Sequence, residues 1–133
     1  MPMKHIIFIY GTLMPGLRLE AQMHGARFVG PAHIAGRLID VGRYPGLLHG
    51  DGQVTGEVYE VDDAHLARLD GVEGVLPGDR AQSHYWRELV TVVSGPLQGQ
   101  QVQTYLYNRP VDGCTPIPHG DYRRYIREVG RES

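Results

Sequence analysis

"QVTGEVYEVDDAHLARLDGVEG", residues 53–74, changes its hydrophobic period half-way along. Over residues 53–61 the side chains alternate, with Val54, Gly56, Val58 and Glu60 on one side and Thr55, Glu57, Tyr59 and Val61 on the other, the pattern of a strand. From Asp63 the period becomes three or four. Asp62 or Asp63 is a suitable N-cap, acidic residues open the first turn, and Gly71 and Gly74 weaken or end the far side, so a short helix follows the strand directly.

Outward from this unit, "HIIFIY", residues 5–10, reads as a buried central strand that stops at Gly11. Residues 17–26 have the spacing of a short helix. Residues 27–41 read as strand, turn at Pro31, then strand, and "GRYPGLLHGDG", residues 42–52, reads as a loop. "SHYWRELVTVV" and "QQVQTYLYN" form a hairpin joined through Gly95 and Pro96. Asp121 precedes Tyr122, Tyr125, Ile126 and Val129 at helical spacing, which predicts a C-terminal helix. Six or seven strands with three short helices make a mixed α/β or α+β chain, and the size fits one domain over 1–133. Eighteen glycines and nine prolines, dispersed between short β-like runs, support a sheet-rich fold over a helical bundle.

The bulk numbers exclude several functions. With 41% hydrophobic residues the chain can bury a core without staples. Thirteen basic and fifteen acidic residues are scattered without a basic stripe, so nucleic acid is not an expected partner. Cys114 is the single cysteine, which fits a reducing compartment. The longest apolar run, Ile6–Tyr10, is too short to span a bilayer, and no secretory leader is read at the start. The expectation is a soluble, cytoplasmic protein that does not bind membranes.

Familiar catalytic patterns are missing. Ser83, Ser94 and Ser133 are the only serines and none lies in a Gly-x-Ser-x-Gly elbow. The seven histidines lack metal-ligand spacing, so no metal site is expected, and Cys114 reads as an ordinary thiol. No phosphate-binding or dinucleotide-binding glycine loop occurs. Two features remain. Gly11 and Gly16 bracket a loop whose backbone N–H groups can hold a small anion at the end of a buried strand. Glu73 falls on the stripe of Leu66 and Leu69, where a core-facing carboxyl would have a raised pKa and could shuttle a proton near neutrality. If Gly71 ends the helix, Glu73 is instead a solvated loop residue or an ion-pair partner of Arg80 or Arg87. Asp70 falls at the rim of that stripe. Together the two features suit a zwitterionic substrate whose carboxylate docks on the loop while its amine meets the base.

These residues resemble those of the γ-glutamylcyclotransferase-like family. "YGTL" (Tyr10–Leu13) followed by Pro-Gly, "RYPGL" (Arg43–Leu47), the Leu-Asp-x-x-Glu-Gly end of the helix, "YWRELVTV" (Tyr85–Val92), "TYLYN" and "HGDYRRYI" match its segments in order over nearly the whole chain. The resemblance implies an α+β fold, a small mixed six- or seven-stranded β-barrel with short flanking helices and a cavity at one end. It implies a small-molecule γ-glutamyl substrate cyclised to 5-oxoproline, with Glu73 as general acid/base and no metal or organic cofactor. By the same resemblance Gly11, Thr12 and Leu13 supply backbone contacts to the γ-glutamyl group, and Tyr10 shapes the pocket. Tyr107 is counted with this substrate-binding set. Packing readings stand beside these: Tyr10 closing the barrel end, Tyr85 and Tyr107 as core aromatics, Arg87 pairing with an acidic neighbour. A barrel that binds a small metabolite or peptide end without turnover is the competing function. Arg18, Arg43, His49 and Val75–His84 are candidate rim elements for the leaving group.

Overall fold

The computed structural model describes residues 4–131; Ser133 and the other end residues lie outside them. Strands β1 (Lys4–Ile9), β2 (Arg27–Asp40), β3 (Pro45–Asp62), β4 (Tyr85–Ser94), β5 (Gln101–Tyr107) and β6 (Thr115–Ile117) accompany two helices, α1 (Asp63–Val72) and α2 (Tyr122–Glu128). The strand order is β3-β1-β5-β4-β2-β6, and β3 also pairs with β2. That extra pairing closes five strands into a barrel and leaves β6 attached to the end of β2. The sheet is mixed, because β1 runs parallel to β5 while its neighbour β3 and the remaining pairs are antiparallel. This is the α+β barrel expected, at the lower of the two strand counts. Among the described residues no helix is long and apolar enough to cross a membrane.

Ile7, Phe8 and Ile9 are all buried rather than alternating. Strand β1 is flanked on both edges inside the barrel wall and α1 packs over β1 and β3, so neither face of its Ile7–Ile9 half meets water. The unit that opened the sequence reading forms as expected: β3 runs to Asp62, whose carboxylate caps α1 by accepting from the His65 N–H at 2.8 Å. Leu66 and Leu69 carry the buried stripe.

Three expectations need correction. Residues 27–41 are one strand, not two: Pro31 stays in the ladder opposite Glu57, just beyond a register shift between Phe28 and Gly30. Proline is tolerated next to such an irregularity because the regular ladder is already interrupted there. Residues 45–52 of the expected loop belong to β3, where Pro45 takes the first strand position and pairs with Asp40. The loop shrinks to a turn in which Val41 N–H donates to the Tyr44 carbonyl at 3.0 Å. Residues 17–26 form only a single 3-10 turn at Glu20–Met23, because Leu17 and Leu19 donate back to Met14 and Thr12 and so hold the chain in a looped path.

Candidate functional site

The loop after β1, the end of α1, the β2–β3 turn and the beginning of β4 meet around a cavity of about 400 Å³. This lies within the range of small-molecule sites, about 300–1,000 Å³. Tyr10, Gly11, Thr12 and Leu13 line one side. In that loop two carbonyls are taken up by the chain that follows, Gly11 accepting from Met14 N–H at 3.0 Å and Thr12 from Leu19 N–H at 2.8 Å. The loop lies hard against the β2–β3 turn, since a Cβ on Gly11 would come within 2.6 Å of Pro45 Cγ.

Val72, Glu73 and Gly74 line the same cavity. Helix α1 passes through Gly71 and ends in a Schellman motif: Val75 N–H donates to the Asp70 carbonyl at 2.9 Å and Gly74 N–H to the Gly71 carbonyl at 3.2 Å. Gly74 provides the left-handed backbone this stop requires, with φ of 73°. Its Cα also abuts His84, where an added Cβ would meet His84 Cβ at 2.9 Å. Glu73 is thereby the C-cap residue, half-buried and set on the cavity wall by the geometry of the helix stop.

Neither Arg80 nor Arg87 pairs with Glu73. Arg80 holds Glu88 at 3.0 Å, and Arg87 grips both carboxylate oxygens of Asp70, Nε to Oδ1 at 2.9 Å and Nη2 to Oδ2 at 3.0 Å. Asp70 also accepts from the Tyr105 hydroxyl at 2.6 Å, and Arg87 donates to Gln103 as well. The neighbouring tyrosine hydroxyls are committed elsewhere: Tyr10 donates to the Tyr105 carbonyl and Tyr85 to the Pro45 carbonyl, each at 2.6 Å. Burial chiefly raises the pKa of Tyr10, Tyr85 and Tyr105, followed by the Glu73 charge at Tyr10, the Tyr10 hydroxyl at Tyr85 and the Asp70 hydrogen bond at Tyr105, so all three remain protonated donors. Among the described residues, none donates to the Glu73 carboxyl. Desolvation therefore acts unopposed and pushes its pKa up to about 7.

A family model described as "Gamma-glutamyl cyclotransferase, AIG2-like" matches residues 7–124. The chain belongs to the gamma-glutamyl cyclotransferase, AIG2-like family. It is 35% identical over 117 residues to the gamma-glutamylcyclotransferase family protein YtfP of Escherichia coli K12, covering 87% of this chain and 94% of that one. It is 37% identical over 123 residues to the gamma-L-glutamyl-butirosin B gamma-glutamyl cyclotransferase of Niallia circulans, covering 90% and 76% respectively. The crystal structure of an AIG2-like protein from Mus musculus superposes with a TM-score of 0.65 at 28% identity, covering 90% of this chain and 94% of that one.

Of the site residues expected from the cyclotransferase resemblance, Tyr10, Gly11, Thr12, Leu13 and Glu73 all line the one cavity. Tyr107 does not. It lies behind the wall, its ring packed edge-on against His84 and Tyr85 at 5.4 Å from each. Among the rim candidates, Arg18 and His84 line the cavity, whereas His49 faces Glu88 at 3.7 Å. The sequence reading missed Tyr44, Pro45 and Tyr105 as wall residues. The hydroxyl of Tyr44 is hydrogen-bonded to His84 Nε2 at 2.7 Å across forty positions of chain, a pairing no local pattern announces. Burial, then the Arg109 charge, lowers the His84 pKa.

Proposed function

We propose that the chain works as one domain, 1–133, and as a cofactor-independent γ-glutamyl cyclotransferase that converts a γ-glutamyl amide to 5-oxoproline and a free amine. The observation that carries this reading is Glu73, a carboxyl without a cation partner among the described residues, pushed up to about 7, on the wall of the same cavity that the Tyr10–Leu13 loop lines. The N–H groups of that loop suit the substrate α-carboxylate, with no charged side chain required. Glu73 then faces the α-ammonium.

In this mechanism the ionised Glu73 takes a proton from the ammonium, and the freed amine nitrogen attacks the γ-carbonyl carbon of the same molecule. A new N–C bond closes a five-membered ring. The bond from that carbon to the leaving nitrogen breaks, and Glu73 relays to that nitrogen both protons the substrate ammonium sheds, the first taken before attack and the second from the ring nitrogen after it, so the amine leaves as its ammonium and protons and electrons balance without a co-reactant. A pKa near 7 suits both halves, because the same group must accept and then donate. Tyr10 and Tyr85, fixed by hydrogen bonds to Tyr105 and Pro45, hold the shape of the pocket.

The test is 5-oxoproline release, followed by mass spectrometry, from a panel of γ-glutamyl amides with the native protein and Glu73→Gln side by side. Release by the native protein alone supports the reading. Ligand binding without release by either protein would instead make the barrel a binding module.

A further inference from the structure

We propose that Arg18 makes this site select γ-glutamyl compounds whose leaving amine carries a carboxylate, that is γ-glutamyl amino acids and peptides, over simple γ-glutamyl amines. The inference rests on the cyclotransferase reading above and names the substrate class for it.

Arg18 and Glu73 bear the full charges of the cavity wall. Glu73 is assigned to the ammonium and the loop N–H groups to the α-carboxylate of the glutamyl moiety, so the guanidinium of Arg18 is left for the other half of the substrate. Its place is built into the loop. Leu17 N–H donates to the Met14 carbonyl at 3.1 Å and Leu19 N–H to the Thr12 carbonyl at 2.8 Å, pinning the backbone on either side of Arg18. Leu19 itself lines the cavity. The turn that presents Thr12 and Leu13 to the substrate therefore also presents this cation.

The charge is uncommitted. Arg27, Arg80, Arg87, Arg123, Arg124 and Arg131 each hold a carboxylate, whereas among the described residues none pairs with Arg18. A second cation acts at the His84 side of the mouth. Arg109 donates to the backbone carbonyls of Asn108 and Ala81, which leaves its charge without a carboxylate, and its field reaches His84 and Tyr107. A leaving group with a carboxylate meets a favourable field on both sides, and one with an added positive charge meets repulsion. A planar guanidinium can also hold a carboxylate through two parallel N–H donors.

The experiment compares γ-L-glutamyl-L-alanine with γ-L-glutamyl-ethylamide, which differ only in the carboxylate of the leaving group, using native protein, Arg18→Gln and Arg18→Lys. The native kcat/KM should favour the alanine compound up to about fivefold, the scale of one ion pair made by an exposed side chain such as Arg18. Arg18→Gln should collapse that ratio towards one, through KM, and Arg18→Lys should restore part of it. Absence of preference in the native protein overturns the proposal. So does an equal loss on both substrates in Arg18→Gln, which would place Arg18 on the glutamyl carboxylate they share. If the native protein releases 5-oxoproline from neither compound, nor from any γ-glutamyl amide of the wider panel, the cyclotransferase reading fails and this proposal falls with it.

Discussion

Asp70 and Glu73 stand three residues apart at the end of α1, and only Asp70 is held by a cation. Arg87 and the Tyr105 hydroxyl saturate the Asp70 carboxylate, while Glu73, almost one helical turn further on, faces the cavity with its charged form disfavoured by burial. One carboxylate is fastened and ties the helix to β4 and β5. The other has no such tie among the described residues.

That difference makes Glu73 a liability to the fold above its unfolded pKa. Its folded pKa, about 7, lies above the ordinary 4.5, so the folded state binds more protons between those values and loses stability as pH rises through that window. Glu73→Gln removes the penalty. The variant should match the native protein in stability near about pH 4 and exceed it by up to about 3 kcal/mol at about pH 8, since each pH unit between the two pKa values costs the native fold roughly 1.36 kcal/mol. Urea denaturation at the two pH values checks this, and a variant destabilised at both would make Glu73 a structural carboxylate.

In the proposed mechanism the same group sets the acid limb of activity. Because the proposed reaction begins with ionised Glu73, kcat/KM on a γ-glutamyl substrate should rise about tenfold per pH unit on the acid side and level off near the Glu73 pKa, about 7. A limb near 4.5 would show that the carboxyl is well solvated in the working enzyme.

Arg87→Met leaves Asp70 half-buried without its cation. The expected loss is about 2–3 kcal/mol, below that of a fully buried pair because both partners keep some solvent contact. Arg87→Lys should recover only part of it, since an ammonium cannot reproduce the two-pronged grip. Denaturant midpoints for both variants decide the matter.

Gly74→Ala strains a left-handed position and drives a Cβ towards His84. The backbone alone costs about 1–2 kcal/mol. Activity should fall further than that stability loss explains, since relief of the strain moves Glu73; comparison of kcat/KM in Gly74→Ala with that of an equally destabilised core variant such as Val92→Ala tests it.

The parts of the fold that could be read from the residues were those governed by local stereochemistry. The change of period at Asp62, the Asp62 cap, the Tyr85–Tyr107 hairpin and the glycine after Glu73 are each decided within a few positions of chain. What escaped was decided across the barrel. Pro31 and Pro45 look like turn residues until the long pairing of β2 with β3 is known, and the apparent helix after Gly16 is overridden by hydrogen bonds back to Thr12 and Met14. At the site, Tyr10–Leu13 and Glu73 stood out by motif and by position on a helical stripe. Tyr44 and His84 did not, because each gains its place from a partner distant in sequence, and Tyr107 was counted one layer too far inward.

The hydrogen bond from His84 N–H to the Gly74 carbonyl, 3.0 Å long, closes residues 75–83 into a loop at its base. The helix stop before it is complete in itself, and β4 after it is fixed by pairing with β5. Lengthening such a closed loop costs little, about 0.6 kcal/mol per doubling. The segment is thereby a loop whose length can change without moving its base: under the proposed function, a longer version would build new wall beside the cavity mouth and change which amines fit, while Glu73 stays where the helix ends. Under that reading, the reach of the mouth and the position of the carboxyl are set by separate parts of this one stretch of chain.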